Sequence, residues 1–395
     1  MSEKQARIAK YVLYAALLLA VGWMMLTPTE GADYRRYVTD TLRYERATVV
    51  EVVSEELSDS LLGTGQQLGQ QTLLVRFSNG ETVTVENYLT DTHNVYAKAG
   101  QKVIICEDAP KNVTPYYTVY NYDRLPGLLA LVITFFALML LIGGRKGFDA
   151  VLAILFTLVF LLRVTLPRIY SGGSPLLYGL VTVVLSTAVT MLLIHGFSKH
   201  AGIGFIVTML GECAACGLFW SFSSLLHLTG FQSDSADGLL LIARSTGLQV
   251  HTLLFAGMML ASLGAVMDVS VSILSALREV ALAGSRGRGR LFSAGMNIGR
   301  DMIGTMSNTL IFAFAGGALV TMLVFYSCGV QPQQLISSDY LSVELAQGLC
   351  STAAVIITVP AGALIGAATY GGENNAKSRT NIESSGKIRG VKREQ

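Results

Sequence analysis

Two carboxylates stand inside long uncharged runs. Asp268 lies in "GAVMDVSVSI", within an apolar stretch that starts near Val250 and meets no positive charge until Arg278. Glu212 lies in "MLGECAACG", about halfway along another such stretch. A carboxylate at the middle of a bilayer costs at least ~2.5–3.5 kcal/mol, so it faces a packed interior or a wet cavity and marks an ion, proton or substrate pathway. Around Asp268, the residues Ala261, Gly264, Ser272, Ser275 and Glu279 recur at steps of three and four. That spacing predicts one small or polar stripe along a helix, with Asp268 on its packed face and ~15 Å from Arg278. The next apolar stretch, "GRDMIGTMSNTLIFAFAGGAL", repeats the pattern with Asn297, Asp301, Gly304, Asn308 and Ala315.

These residues define the expected site. Asn308 can donate to a carboxylate and accept from a cation or hydroxyl, so it pairs naturally with Asp268. Ser307, Thr305 and Ser272 complete the polar volume, and Glu212, on a stripe with Thr208, Cys216 and Ser223, adds a second carboxylate. Arg300 and Asp301 are expected to form an ion pair at the cytoplasmic end, as a gate or an anchor. Gly264 and Gly304 allow close helix approach, as do Gly362 and Gly366, which have the G-x-x-x-G spacing. The competing reading is a polar cluster that only glues helices together. A neutral asparagine would do that at lower cost than a charge.

The elements that hold these residues must be membrane helices. Half the chain is hydrophobic (51%) and only 14% is charged, too apolar for a soluble domain of 395 residues. Several stretches of roughly 18 residues or more lack interior charge, enough to cross a ~30 Å hydrocarbon core. Eight spans are predicted, near 11–26, 125–142, 148–166, 175–195, 203–227, 251–277, 302–326 and 346–370. Residues 1–27 form an N-terminal membrane anchor; no A-x-A-like cleavage site follows it. Residues 125–370 form a seven-helix transmembrane domain. Residues 371–395 are polar and basic, without an apolar period, and are expected to be a disordered cytoplasmic tail.

With the N-terminus inside, the inner segments carry seventeen Lys and Arg residues and the short outer loops carry three: Arg163, Arg168 and Arg244. That asymmetry predicts a multi-pass membrane protein with both termini cytoplasmic. Arg163 and Arg168 are on the wrong side for the rule.

Residues 28–124 form one long extracytoplasmic segment that reads as β structure. "TLLVRFSNGETVTVENY" has alternating runs flanking Asn79-Gly80, the signature of a tight type I′ hairpin. "ERATVVEVV", "QKVIICE" and "YYTVYNYD" supply three more strands. Five short strands predict a small all-β barrel, OB-like, between helices 1 and 2. It is either a folded cap or a binding module for an envelope ligand.

The stretches "LGAVMDVSVSILSALREV", "NIGRDMIGTMSNTLIFAFAGG" and "IITVPAGALIGA" resemble the YibE/F-like family of bacterial multi-spanning membrane proteins. The order of anchor, extracytoplasmic domain and multi-span region is similar too, so the resemblance covers most of the chain. It implies an integral protein of the bacterial envelope and puts Asp268, Arg300, Asp301, Thr305, Ser307 and Asn308 in the family's polar signature. Glu212, Cys213 and Cys216 lie outside that signature. The resemblance implies no particular activity.

Other motifs point to no chemistry. Cys213 and Cys216 have redox spacing but no basic neighbour to stabilise a thiolate. The five histidines (His93, His195, His200, His227, His251) make no ligand spacing, so no metal is expected, and no other cofactor is expected either. "GSRGRGR" lacks the flanks of a P-loop, and no G-x-S-x-G elbow occurs. The expectation is therefore a non-enzymatic transporter or permease, proton- or cation-coupled. Its partners would be the lipid bilayer, a companion membrane subunit or a second copy, and an envelope ligand, with no nucleic acid. The alternative is a non-transporting scaffold or envelope sensor acting through the β domain.

Overall fold

In the computed structural model, residues 3–27, 41–60, 63, 65–110, 113–230, 236–284 and 287–391 are described, with side chains in the last helix described to Gly371. The start of the expected β domain, 28–40, and the end of the expected tail, 392–395, lie outside the described residues. The alternating runs become five strands: β1 (Leu42–Asp59), β2 (Gln67–Phe77), β3 (Thr82–Leu89), β4 (Lys102–Asp108) and β5 (Tyr116–Tyr122). They close into a barrel in the order β1-β2-β3-β5-β4. Neighbours run antiparallel, except that β3 meets β5 in parallel at Glu86 and Thr118. β1 pairs with β4 through its first half and with β2 from Ala47 onward. Register shifts between Val49 and Glu51 and between Val52 and Ser54 bend it around the barrel, as bulges do.

Alternate residues, including Val49, Leu73, Val75, Val85, Val103 and Ile105, fill the barrel interior. Two amides, Gln71 and Asn87, are enclosed with them. Gln71 donates to the Ala97 carbonyl (3.2 Å) and to Glu55 (3.1 Å), and its Oε1 accepts from the Ala97 N–H (3.1 Å) and from Asn87 (3.1 Å). Every polar atom of the Gln71 side chain is thus paired, as burial demands.

The β2–β3 hairpin differs from the expected type I′ turn. Phe77 N–H donates to Glu81 O (2.9 Å) and Gly80 N–H to Phe77 O (3.1 Å). The loop therefore has three residues, and within it only Gly80 has a positive φ (89°). Asn79 stays in ordinary backbone space, and its Oδ1 accepts from Glu81 N–H (2.9 Å). A three-residue loop ending in a left-handed glycine satisfies the same twist.

The chain divides into two compact units, 35–141 and 1–34 with 142–395. The first holds the barrel and extends beyond the expected boundary at residue 124. The second holds the remaining helices: α1 (Glu3–Leu26), the second half of α2 (Leu125–Phe160), α3 (Leu166–Tyr170, after a π turn at Leu161–Thr165), α4 (Pro175–His195), α5 (Lys199–Leu225), α6 (Ala236–Thr246), α7 (Val250–Leu282), α8 (Arg288–Ser327), α9 (Pro332–Ile336) and α10 (Asp339–Val391).

Among the described residues, seven helical stretches are long and apolar enough to cross a membrane, against the eight spans read from hydropathy. The difference lies in Leu125–Tyr170, a single 46-residue stretch of roughly 70 Å at 1.5 Å per residue, about twice a ~30 Å hydrocarbon core. It is interrupted at Gly144, whose φ of 53° and ψ of −126° are not helical. The expected second and third spans lie on either side of that break. The tail, expected to be unstructured, continues α10 as far as Val391; no proline after Pro360 interrupts the helical hydrogen bonds.

α1 is fixed to the segment after Gly144 by polar contacts at both ends. Lys10 Nζ lies 2.7 Å from Asp149 Oδ2, and the Tyr14 hydroxyl donates to Asp149 Oδ1. Asp149 is only 1% exposed. At the other end, Arg163 donates to the carbonyls of Met24 (3.0 Å), Met25 (2.7 Å) and Thr27 (2.8 Å). Those carbonyls have no intrahelical partner at a helix C-terminus, where a cation is also favoured by the dipole. Arg163 is thus a C-terminal cap for α1, which accounts for a positive charge that the loop count places on the wrong side. Leu17 and Met24 pack between these ends against Leu152, Phe156 and Val159.

Asp149→Ala removes the acceptor of both Lys10 and Tyr14. Its expected cost is about 2 kcal/mol, below the usual penalty for a half-broken buried pair because Lys10 keeps some solvent. The midpoint of thermal unfolding in detergent should fall, and less so for Asp149→Asn, which still accepts from Tyr14. An unchanged midpoint in both variants would contradict the pinning role.

Candidate functional site

α5, α7 and α10 pack against one another and carry most of the buried apolar core of the helical unit. α5 starts at Ser198, whose side chain accepts from Ala201 N–H (3.2 Å), and Glu212 follows about 20 Å along the helix. It is 3% exposed. Its Oε2 accepts from Ser262 Oγ of α7 at 2.9 Å. Its Oε1 is buried and has no hydrogen-bond partner among the described residues. Ser262 Oγ also lies 3.2 Å from the Met259 carbonyl, so one hydroxyl proton faces two acceptors.

More oxygens lie buried on the same helices. Thr208 Oγ1, one turn before Glu212, and Ser351 Oγ on α10 are enclosed without partners among the described residues. Thr358 Oγ1 of α10 is buried and bonds the Ala354 carbonyl (2.7 Å). Gly211, beside Glu212, makes the enclosure tight. A Cβ there would collide with Thr358 Oγ1 and come within 2.5 Å of Val266 Cγ1. Small residues let membrane helices approach this closely. The result is a carboxylate with a spare oxygen, on helices that also bury unpaired hydroxyls. Such a group can take up a proton or, with neighbouring oxygens, a small cation. Among the described residues, no cluster of three or more His, Cys, Asp or Glu side chains has metal-binding geometry.

The other expected residues are placed differently. Asp268 is exposed on the outside of α7, as are Ala261, Gly264, Ser272 and Glu279. The packed face of α7 is instead the row Ser262, Val266, Val269, Ile273 and Leu277, each fully buried. The two rows are neighbours on the helix, and close packing went to the branched apolar side chains that interdigitate with α5 and α10. On α8, Asp301, Gly304, Thr305 and Asn308 are also exposed, and Ser307 is half-buried with its Oγ unpartnered. Neither Asp268 nor Asn308 makes a hydrogen bond or ion pair among the described residues, and Thr305 Oγ1 donates to the Met302 carbonyl (3.1 Å).

Arg300 and Asp301 form no ion pair. Arg300 instead lies 3.5 Å from Asn297 Oδ1, because adjacent residues on a helix point about 100° apart while i and i+3 share a face. Of the glycines, Gly362 packs toward Val207 and Ile273, and a Cβ on Gly366 would come within 2.7 Å of Leu277. A Cβ on Gly264 or Gly304 would meet nothing within 4 Å. Gly211 and Gly299, which abuts Val359, are among the close-packing glycines that the polar stripes do not reveal.

Sequence patterning also passes over Ser262 and Asp149. The signal for Ser262 is weak: a single small polar residue in an otherwise apolar face. Asp149 stands one residue into an apolar run and reads as a flank.

A helical unit with an enclosed polar core, together with a separate five-stranded barrel, defines the class of protein. Residues 131–372 match the YibE/F-like protein family, and the chain belongs to that family. No curated protein and no solved structure matches it.

The packing assignment is testable by alanine. Gly211→Ala should destabilise the protein by about 1–3 kcal/mol through overpacking against α7 and α10. Gly264→Ala and Gly304→Ala should stay within about 0.5 kcal/mol of wild type. Thermal unfolding of the three variants decides between the faces; the reverse ranking would put the packed face where the polar stripe lies.

Proposed function

We propose that this chain is a transporter or permease of the bacterial cytoplasmic membrane, with both termini cytoplasmic, and that Glu212 is its ion or proton site. The observation that carries this reading is the carboxyl of Glu212, 3% exposed, with one oxygen bonded to Ser262 and the other unpartnered. A polar group buried without a partner costs about 1–3 kcal/mol, and more when charged. A structural role would be filled at lower cost by a neutral side chain. A group that exchanges a proton or cation needs the spare valence.

A second reading draws on a different observation. The exposed row of Asp268, Ser272, Asp301, Thr305 and Asn308 on α7 and α8 is poorly suited to hydrocarbon. On this reading, a companion subunit or a second copy covers it, and the chain is a scaffold or envelope sensor without enzymatic or transport activity. The barrel would then bind the envelope ligand.

Thermal unfolding across a panel of pH values and monovalent and divalent cations separates the two. A ligand that binds only the folded protein stabilises it by about 2.7 kcal/mol at a hundred times its dissociation constant. The stabilising condition should act on wild type and Asp268→Asn but not on Glu212→Gln. A response lost in Asp268→Asn and kept in Glu212→Gln would sink the assignment, as would identical responses in all three.

A further inference from the structure

At one end of the helical unit, the α4–α5 turn, the last turns of α7 and the end of the buried part of α10 surround a cavity of about 690 Å³. Among the described residues, Lys146, Lys199 and Arg278 line it, with Glu279 as the carboxylate in its wall. Positive side chains thus outnumber negative ones in the described wall. Neither Lys146 nor Arg278 makes a hydrogen bond or ion pair among the described residues.

The floor is ordered rather than loose. His200 is buried, and its Nδ1 is hydrogen-bonded to the hydroxyl of Tyr370, also buried. The His195 ring packs on His200 with centroids 4.5 Å apart, and its Nδ1 is enclosed without a partner. The N-terminal end of α5 and the C-terminal end of α4 meet here. Their dipoles oppose one another, and α7 also ends nearby at Leu282, so the positive side chains supply the attraction for an anion. The volume is within the range of small-molecule sites.

We propose that this cavity binds a phosphate group, either on a small soluble molecule or on an anionic lipid headgroup. Arg278 provides a planar fork for two oxygens, and Lys146 and Lys199 act as point charges. Both sources present the same tetrahedral anion, and the cavity has room for the group attached to it. Glu212 is not among the residues that line this cavity, so the two sites stand or fall separately.

The test uses the full chain in nanodiscs. In the first arm, the bilayer is phosphatidylcholine, and inorganic phosphate is titrated by calorimetry against chloride at matched ionic strength. In the second arm, phosphatidylglycerol is added to the bilayer, and its retention by the protein is read by native mass spectrometry. Binding in either arm should weaken about tenfold in Arg278→Gln, the loss of one charge-assisted contact. It should recover in part in Arg278→Lys, tighten in Glu279→Gln and stay unchanged in Arg244→Gln, which lies on α6. The arm that responds identifies the source. If Arg278→Gln is unstable, the gain in Glu279→Gln still decides. Absence of binding in both arms, or binding that Arg278→Gln and Glu279→Gln leave unchanged, overturns the proposal.

Discussion

The close approach of α10 to α5 and α7 is the constraint on which the helical unit depends. Where Gly211 meets Thr358 and Val266 there is no room for even one extra carbon. Gly362 and Gly366 extend the same contact toward Ile273 and Leu277. Among membrane helices, little hydrophobic gain is available, so dispersion between closely packed backbones and interhelical hydrogen bonds must supply the attraction. The bond between Glu212 and Ser262 is one of these. It joins α5 to α7 inside the volume that α10 seals.

Sealing has two consequences. It excludes solvent from Glu212, so any partner for its second oxygen comes from a nearby buried hydroxyl or a small ligand. It also fixes which face of α7 is inside, and so leaves the Asp268 row outside. One packing decision therefore separates an enclosed carboxylate from an open one. The periphery is held by other means: Asp149 and Arg163 fasten the two ends of α1, and their contacts are as specific as those of the core.

Much of this is legible in the sequence, for reasons of period. The strands of the barrel follow from alternation, and the membrane-capable helices follow from long uncharged runs. Asn79-Gly80 correctly marks a hairpin, but alternation alone does not fix the loop length, which here goes with an Asn79 side-chain bond to the Glu81 N–H. The site is less legible. Asp268 carries the clearest signal, a charge on a stripe of small residues, yet that stripe is not the packed one. Glu212 shows the weaker pattern and is the enclosed one, because burial is decided by which rows interdigitate with two other helices. The basic cavity is illegible for a simpler reason: His200 and Tyr370 are 170 residues apart, and only the fold brings them together.

The central claim is that Glu212 is the exchange site of a transporter. Its most direct test is flux in proteoliposomes, read as proton or cation movement down an imposed gradient, with wild type beside Glu212→Gln of equal reconstitution. Wild type should show flux above protein-free vesicles, and Glu212→Gln should show none. Equal flux in the two proteins, or no flux in wild type with any cation that stabilises it, would contradict the claim.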